Sequence, residues 1–128
     1  MTDTTLVDWL DRAAEHPDDG EPHAGLRFLD RRERATFFGW STLRERAERL
    51  AAGLAAHGIG HGDRVGLVFP TGPEFIDSLF ACQRLGAVPV PLYPPVRLGR
   101  LDEYHQRTAA MLDAASARLV LADARVRR

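Results

Sequence analysis

The stretch AVPVPLYPP, from Ala87 to Pro95, holds four prolines in nine residues. Each proline fixes φ and removes a backbone N–H. The segment therefore cannot be helical, and it cannot lie in the interior of a fully hydrogen-bonded sheet. Val88, Val90, Leu92 and Tyr93, by contrast, are residue types that favour extended strands. Two arrangements satisfy both constraints. One is an edge strand, with Pro89 and Pro91 turned to one side and Pro94 and Pro95 ending the strand. The other is an exposed polyproline ligand, with Pro91-Leu92-Tyr93-Pro94 as its PxxP core. Arg97 stands one position late for the basic residue that flanks such a core, which weighs against the ligand.

The flanking sequence also asks for a strand. In HGIGHGDRVGLVF the glycines make a turn, and Arg64 to Phe69 reads as a buried apolar strand. Pro73 suits the first turn of a helix that runs through PEFIDSLFACQRL and stops at Gly86. After the proline segment, Leu101 to Ala115 reads as a helix and Arg118 to Ala122 as another apolar strand. Strand, helix, strand, helix, strand argues for parallel strands joined by right-handed crossovers. Arg64–Phe69 and Arg118–Ala122 are apolar on both faces and are expected at the centre of the sheet.

The first half differs. Leu6, Trp9, Leu10 and Ala13 place one apolar face on a helix from Thr5 to His16. Pro17 and the DDGEP run end it in a solvated loop, with His23 exposed. Gly25–Asp30 and ATFFGW then form a hairpin across RRER. Ser41 or Thr42 is expected to cap the next helix, with Thr42 and Glu45 as a capping box. Its buried stripe is Leu43, Ala47, Leu50 and Leu54, and Gly58 stops it. Gly58 and Gly86 are expected at positive φ. The fold class is α/β: an N-terminal hairpin, then a βαβαβ unit with mostly parallel strands.

The length of 128 residues suits one domain or part of one, and the apolar fraction of 45% is ordinary. The net charge of −1 implies no nucleic-acid partner. All 17 basic residues are arginine. Without lysine, a Walker-type phosphate loop and Schiff-base chemistry are excluded. One cysteine, Cys82, fits a reducing compartment and a cytoplasmic protein. The start MTDTTLVDWLDRAAEH does not resemble a signal peptide, and no segment is apolar enough for a membrane span.

Few residues point to chemistry. Gly58, Gly60 and Gly62 fail as a dinucleotide fingerprint, because Asp63 holds the third glycine position and the order is helix then strand. His57 and His61 are separated by glycines and lack a third ligand, so no metal site is assigned. Cys82 faces a helix core and has no paired base. Ser41, Ser78 and Ser116 lack a nucleophile-elbow context. The remaining candidates are Thr71 and Gly72, at the carboxyl end of a parallel strand and before a helix, where open α/β sheets place ligands. A plain turn capped by Thr71 is the simpler alternative. Tyr93 and Pro94, at the end of the next strand, belong to the same class. These four are substrate-cleft candidates, and no catalytic, cofactor-binding or metal residue is assigned.

The run WSTLRERAERLAAGLAAHGIGHGDRVGLVFPTGPEFIDSLFACQRLGAVPVPLYPP resembles the N-terminal part of adenylate-forming enzymes. Gly39-Trp40-Ser41-Thr42-Leu43 stands where that superfamily has a Thr-Tyr-x-Glu-Leu helix start, and departs from it at several positions. Gly86-Ala87-Val88-Pro89-Val90-Pro91-Leu92 is similar to its Gly-Ala-x-x-x-Pro-Leu strand, and the link Gly62-Asp63-Arg64-Val65 is also typical. PLYPP followed by LGRLDEYHQR most resembles fatty acyl-AMP ligases. The resemblance covers roughly Leu26 to Ala122. It implies an enzyme that activates a fatty acid with ATP and Mg2+ to an acyl-adenylate and passes the acyl group to a carrier protein. It also implies that the phosphate loop, the adenine and ribose motifs and the lysine-bearing C-terminal subdomain lie outside these 128 residues. The expectation is a truncated N-terminal part, residues 1–128, that binds no cofactor alone and works with the rest of the ligase. The alternative is a stand-alone interaction module that uses an open sheet edge or the PLYPP segment.

Overall fold

The computed structural model describes residues 4–15, 24–95 and 100–124. The elements in chain order are α1 (Leu6–Glu15), β1 (Gly25–Leu29), β2 (Ala35–Gly39), α2 (Trp40–Ala56), β3 (Arg64–Val68), α3 (Pro73–Arg84), β4 (Val88–Leu92), α4 (Leu101–Ala114) and β5 (Ala117–Ala122). The expected loop at Pro17 and the exposure of His23 lie outside the described residues.

β1 and β2 form the expected antiparallel hairpin, with Leu26 opposite Phe38 and Phe28 opposite Thr36. Asp30 holds its tip. One carboxylate oxygen accepts the N–H groups of Arg32 and Arg34 at 2.8 and 3.0 Å, and the other accepts Arg34 Nε at 2.7 Å. These bonds hold the Asp30 carboxyl below its usual range, the Arg34 backbone N–H contributing most.

β4, β3 and β5 form a separate parallel sheet in the order β4-β3-β5. This order dictates where the helices go. The chain steps one way from β3 to β4, then back past β3 to reach β5. A right-handed crossover in each direction puts the two connecting helices on opposite faces. Val65 and Leu67, both 0% exposed, face α2 and α3 together with Ala51, Leu54, Ala81 and Cys82. Gly66 points the other way, and a Cβ placed there would stand 2.5 Å from Leu112 of α4. Glycine at that position therefore lets α4 approach the sheet.

The first half of α2 serves a second cluster: Leu10, Leu43, Ala47 and Phe80, with Leu26, Phe38, Trp40 and Ile76 against them. Arg84 of α3 ties the three helices, donating to Asp11 of α1 at 2.8 Å and Glu48 of α2 at 3.2 Å. Arg46 donates to Asp77 through Nε and Nη2, the latter at 2.7 Å, and lies 4.6 Å from the Phe38 ring centroid.

α2 and α3 end alike. Gly58 and Gly86 have φ of 82° and 68°, as the sequence predicts. Behind each, paired backbone bonds close a Schellman motif: Ile59 N–H to Leu54 O with Gly58 N–H to Ala55 O, and Ala87 N–H to Cys82 O with Gly86 N–H to Gln83 O. α4 ends with Ser116 at φ 52°, a conformation that glycine holds at less cost.

Four expectations change. The capping box does not form: Gly39 is the N-cap of α2 and no side chain caps it. Trp40, drawn into the second cluster, starts the helix before Thr42, and Glu45 instead accepts Arg49 at 2.5 Å. Thr71 does not cap α3 either, because Gly72 is the N-cap and no side chain bonds there. The buried residues of α1 are Leu10 and Ala14, while Leu6 and Trp9 are 51% and 59% exposed. β5 is an edge strand rather than a central one, and Val120 within it is 39% exposed.

Candidate functional site

Thr71, Tyr93 and Pro94 come together in one groove of about 590 Å³ at the carboxyl ends of β3 and β4. Phe69, Pro70, Phe75, Pro91 and Leu92 complete its walls. Gly72 is buried and is not part of the groove wall, with extended backbone at φ 171°. It is the N-cap of α3, between Thr71 and the helix that carries Phe75.

The local sequence explains this shape. β3 ends at Val68, Pro70 interrupts its extension, and Pro73 opens α3 at a position where the missing N–H costs nothing. Phe69 and Phe75 therefore flank a short turn. On the neighbouring strand, β4 ends at Leu92, and Pro94 stands just beyond it. Tyr93 is left 87% exposed at the rim. Its backbone carbonyl accepts the Tyr104 hydroxyl at 2.7 Å, which fastens α4 to the end of β4. A second, smaller groove of about 340 Å³ starts on the other side of Tyr93 and runs along α4 past Arg100, Tyr104 and Arg107.

The first groove suits an apolar group. Among the described residues its polar side chains are the hydroxyls of Thr71 and Tyr93, and no described carboxylate, imidazole, thiol or cation lines it. The described residues offer it neither a general base nor a nucleophile with a partner. Among the described residues no three His, Cys, Asp or Glu side chains gather as they would to hold a metal ion. The residues present do not fit a triphosphate or Mg2+, which demand cationic donors and oxygen ligands. Cys82 is buried beneath α3, and burial pushes its thiol up to about 11. Ser78 spends its hydroxyl on the Glu74 carbonyl at 2.7 Å. His57 Nδ1 lies 2.9 Å from the Gly53 carbonyl.

The sequence reading missed Phe69, Phe75 and Leu92 as walls. The available signal was two phenylalanines flanking a proline-bounded strand-to-helix turn. It also missed Tyr104, whose link to Tyr93 crosses a chain separation that periodicity cannot reveal.

Residues 10–128 match the family model described as AMP-binding enzyme. The chain belongs to the AMP-binding enzyme family. Among relatives of this AMP-binding segment, the salicyl-AMP ligase / salicyl-S-ArCP synthetase of Mycobacterium tuberculosis is 37% identical over 113 residues, which are 84% of this chain and 18% of the relative. A feruloyl-CoA synthase of Amycolatopsis is 41% identical over 71 residues, 56% of this chain and 14% of the relative. A solved structure from work on fatty acyl-adenylate ligases of E. coli and L. pneumophila is 34% identical with a TM-score of 0.82, covering 94% of this chain and 21% of that one. The chain thus spans about a fifth of the length of two of these relatives and less of the third. Its hairpin and three-stranded parallel sheet match the N-terminal subdomain of adenylate-forming enzymes. No helix among the described residues is long and apolar enough to cross a membrane.

Proposed function

We propose that this N-terminal part of an adenylate-forming ligase serves a fatty acyl-AMP ligase, as a structural segment that is inactive in adenylation by itself. The observation that carries the fatty acyl reading is the 34% identity, over 94% of the chain, to a structure from the fatty acyl-adenylate ligase work. The apolar groove at Thr71, Tyr93 and Pro94 agrees with it, since an alkyl chain needs walls such as Phe69, Phe75 and Leu92. In this reading the rest of the ligase supplies the groups that bind ATP and Mg2+, and a carrier protein receives the acyl group. A reducing, cytoplasmic setting suits the single free thiol, Cys82.

A second reading follows from the salicyl-AMP ligase, 37% identical over 84% of the chain. The acid would then be aromatic, stacked between Phe69, Phe75 and Tyr93. ATP–pyrophosphate exchange distinguishes the two. The chain alone is expected to give no acid-dependent exchange. Combined with the complementary remainder of a fatty acyl-adenylate ligase, it is expected to support exchange with long-chain fatty acids and not with salicylate. Exchange by the chain alone would overturn the reading, and exchange with salicylate only would replace the fatty acid by an aryl acid.

A further inference from the structure

Tyr93 stands between two unlike grooves. On one side are the apolar walls of Phe69, Phe75 and Leu92. On the other are Arg100, Glu103 and Arg107 of the groove along α4. A single hydrogen bond holds this partition. Val88 N–H donates to the Asp63 carbonyl at 2.7 Å, so Val88 turns its backbone groups to β3. By strand alternation Val90 and Leu92 do the same, and the next residue, Tyr93, turns its N–H and C=O to the open side of β4. Among the described residues no strand lies there to take them. The Tyr104 hydroxyl donates to the Tyr93 carbonyl at 2.7 Å instead. Among the described residues no other hydrogen bond holds Tyr93, Pro94 or Pro95. Pro94 and Pro95 each keep the residue before them extended, so the segment is stiff and this one bond sets its direction.

We propose that Tyr104 is a positioning residue for an alkyl chain in the apolar groove: its hydroxyl holds Tyr93 in place, and the Tyr93 ring separates that groove from the charged one beside it. This rests on the fatty acyl reading of the groove. The Tyr93 ring is 87% exposed, and a bound chain would cover it. An acid short enough to lie among Phe69, Phe75 and Leu92 needs no such wall. A longer chain reaches the rim. There Tyr93 decides whether the last methylenes meet an aromatic face or the hydrated arginines behind it. Tyr104 thus acts on the length of chain the groove accepts and not on the carboxyl group.

The test titrates the chain with octanoate, dodecanoate and salicylate, each below any micelle concentration, and follows the Thr71, Phe75 and Leu92 amides by NMR. Dodecanoate is expected to shift them and to bind more tightly than octanoate. Tyr104→Phe removes the hydroxyl and keeps the ring, so it should weaken dodecanoate about threefold to tenfold. It should leave octanoate binding and the melting temperature near wild type, a selectivity that a merely structural role would not give. Tyr93→Ala keeps the backbone bond and removes the wall, and should weaken dodecanoate in the same selective way. Should Tyr104→Phe fail to fold, Tyr93→Ala decides alone. Dodecanoate bound equally by wild type and Tyr104→Phe contradicts the positioning role and not the fatty acyl reading. Equal weakening of both alkyl acids also overturns the proposal, assigning the bond to folding alone. Salicylate shifting these amides where dodecanoate does not contradicts the fatty acyl reading, and the proposal falls with it. No shift with any of the acids overturns the proposal.

Discussion

The two faces of the parallel sheet have different degrees of cover. On the side of α2 and α3, Val65 and Leu67 are wholly buried, and Cys82 and Ala81 of α3 are at 0% exposure. On the side of α4, Val88 and Val120 remain 45% and 39% exposed, and α4 itself has no fully buried residue. Yet both sides use the same kinds of residue. Apolar strands do not by themselves bury their surfaces; a helix must bring a matching apolar stripe. α2 and α3 bring small and medium residues at close spacing and are locked by Arg46–Asp77 and Arg84–Asp11. α4 brings Leu112 onto Gly66 and a hydroxyl to Tyr93, while Met111 stays 47% exposed.

Truncation should separate the faces most sharply. Leu67→Ala leaves a cavity in the closed face and should cost ~2–5 kcal/mol. Val120→Ala, on the open side, should cost under ~0.5 kcal/mol. Urea unfolding of both variants checks the ratio, and equal losses would break the comparison. Next in size is Asp77→Ala, which strips the Arg46 guanidinium of its bidentate partner and should cost on the order of 2 kcal/mol, measured the same way. The retained stacking of Arg46 on Phe38 keeps that loss moderate.

The helix ends give smaller effects of opposite sign. Gly86→Val forces a branched side chain into positive φ, with His61 3.2 Å from the new Cβ, and should cost ~1 kcal/mol or more. Ser116→Gly relieves the same conformation at the end of α4 and should stabilise by less than ~1 kcal/mol. Thermal melts of the pair should shift in opposite directions.

The smallest effect depends on pH. Asp63 accepts the Gly60 N–H at 2.8 Å and pairs with Arg118 at 3.0 Å. The Gly60 bond, more than Arg118, holds its carboxyl below the usual range. Its folded pKa is thus the lower one. The stabilisation is complete above the unfolded value of about 3.9 and is lost as pH falls through the folded value. Asp63→Asn should therefore flatten the acid limb of the stability profile below about pH 4 and leave its shape near neutrality unchanged.

Much of this fold is legible in local sequence. Gly58 and Gly86 mark helix ends because only glycine takes positive φ without strain, and the structure places both there. The edge position of β4 follows from Pro89 and Pro91, whose missing donors leave no other place. What escaped is what other elements decide. On α1, Leu10 is buried as its spacing implies, but Ala14 joins it in place of Leu6 and Trp9, because α2 and α3 determine which side is covered. β5 looked central, since apolar residues on both faces describe a buried strand but carry no record of strand order. The groove was half legible. Thr71, Tyr93 and Pro94 follow from the rule that ligands sit at carboxyl strand ends, whereas its aromatic walls needed β3 and β4 side by side.

Residue-resolved native-state hydrogen exchange tests the contrast between the faces most directly. Amides of β3, α2 and α3 should exchange together and slowest, through opening of the whole closed layer. Amides of α4 should exchange faster and through a separate local opening. Amides of α4 as slow as those of α3, rising and falling with them in denaturant, would contradict the account.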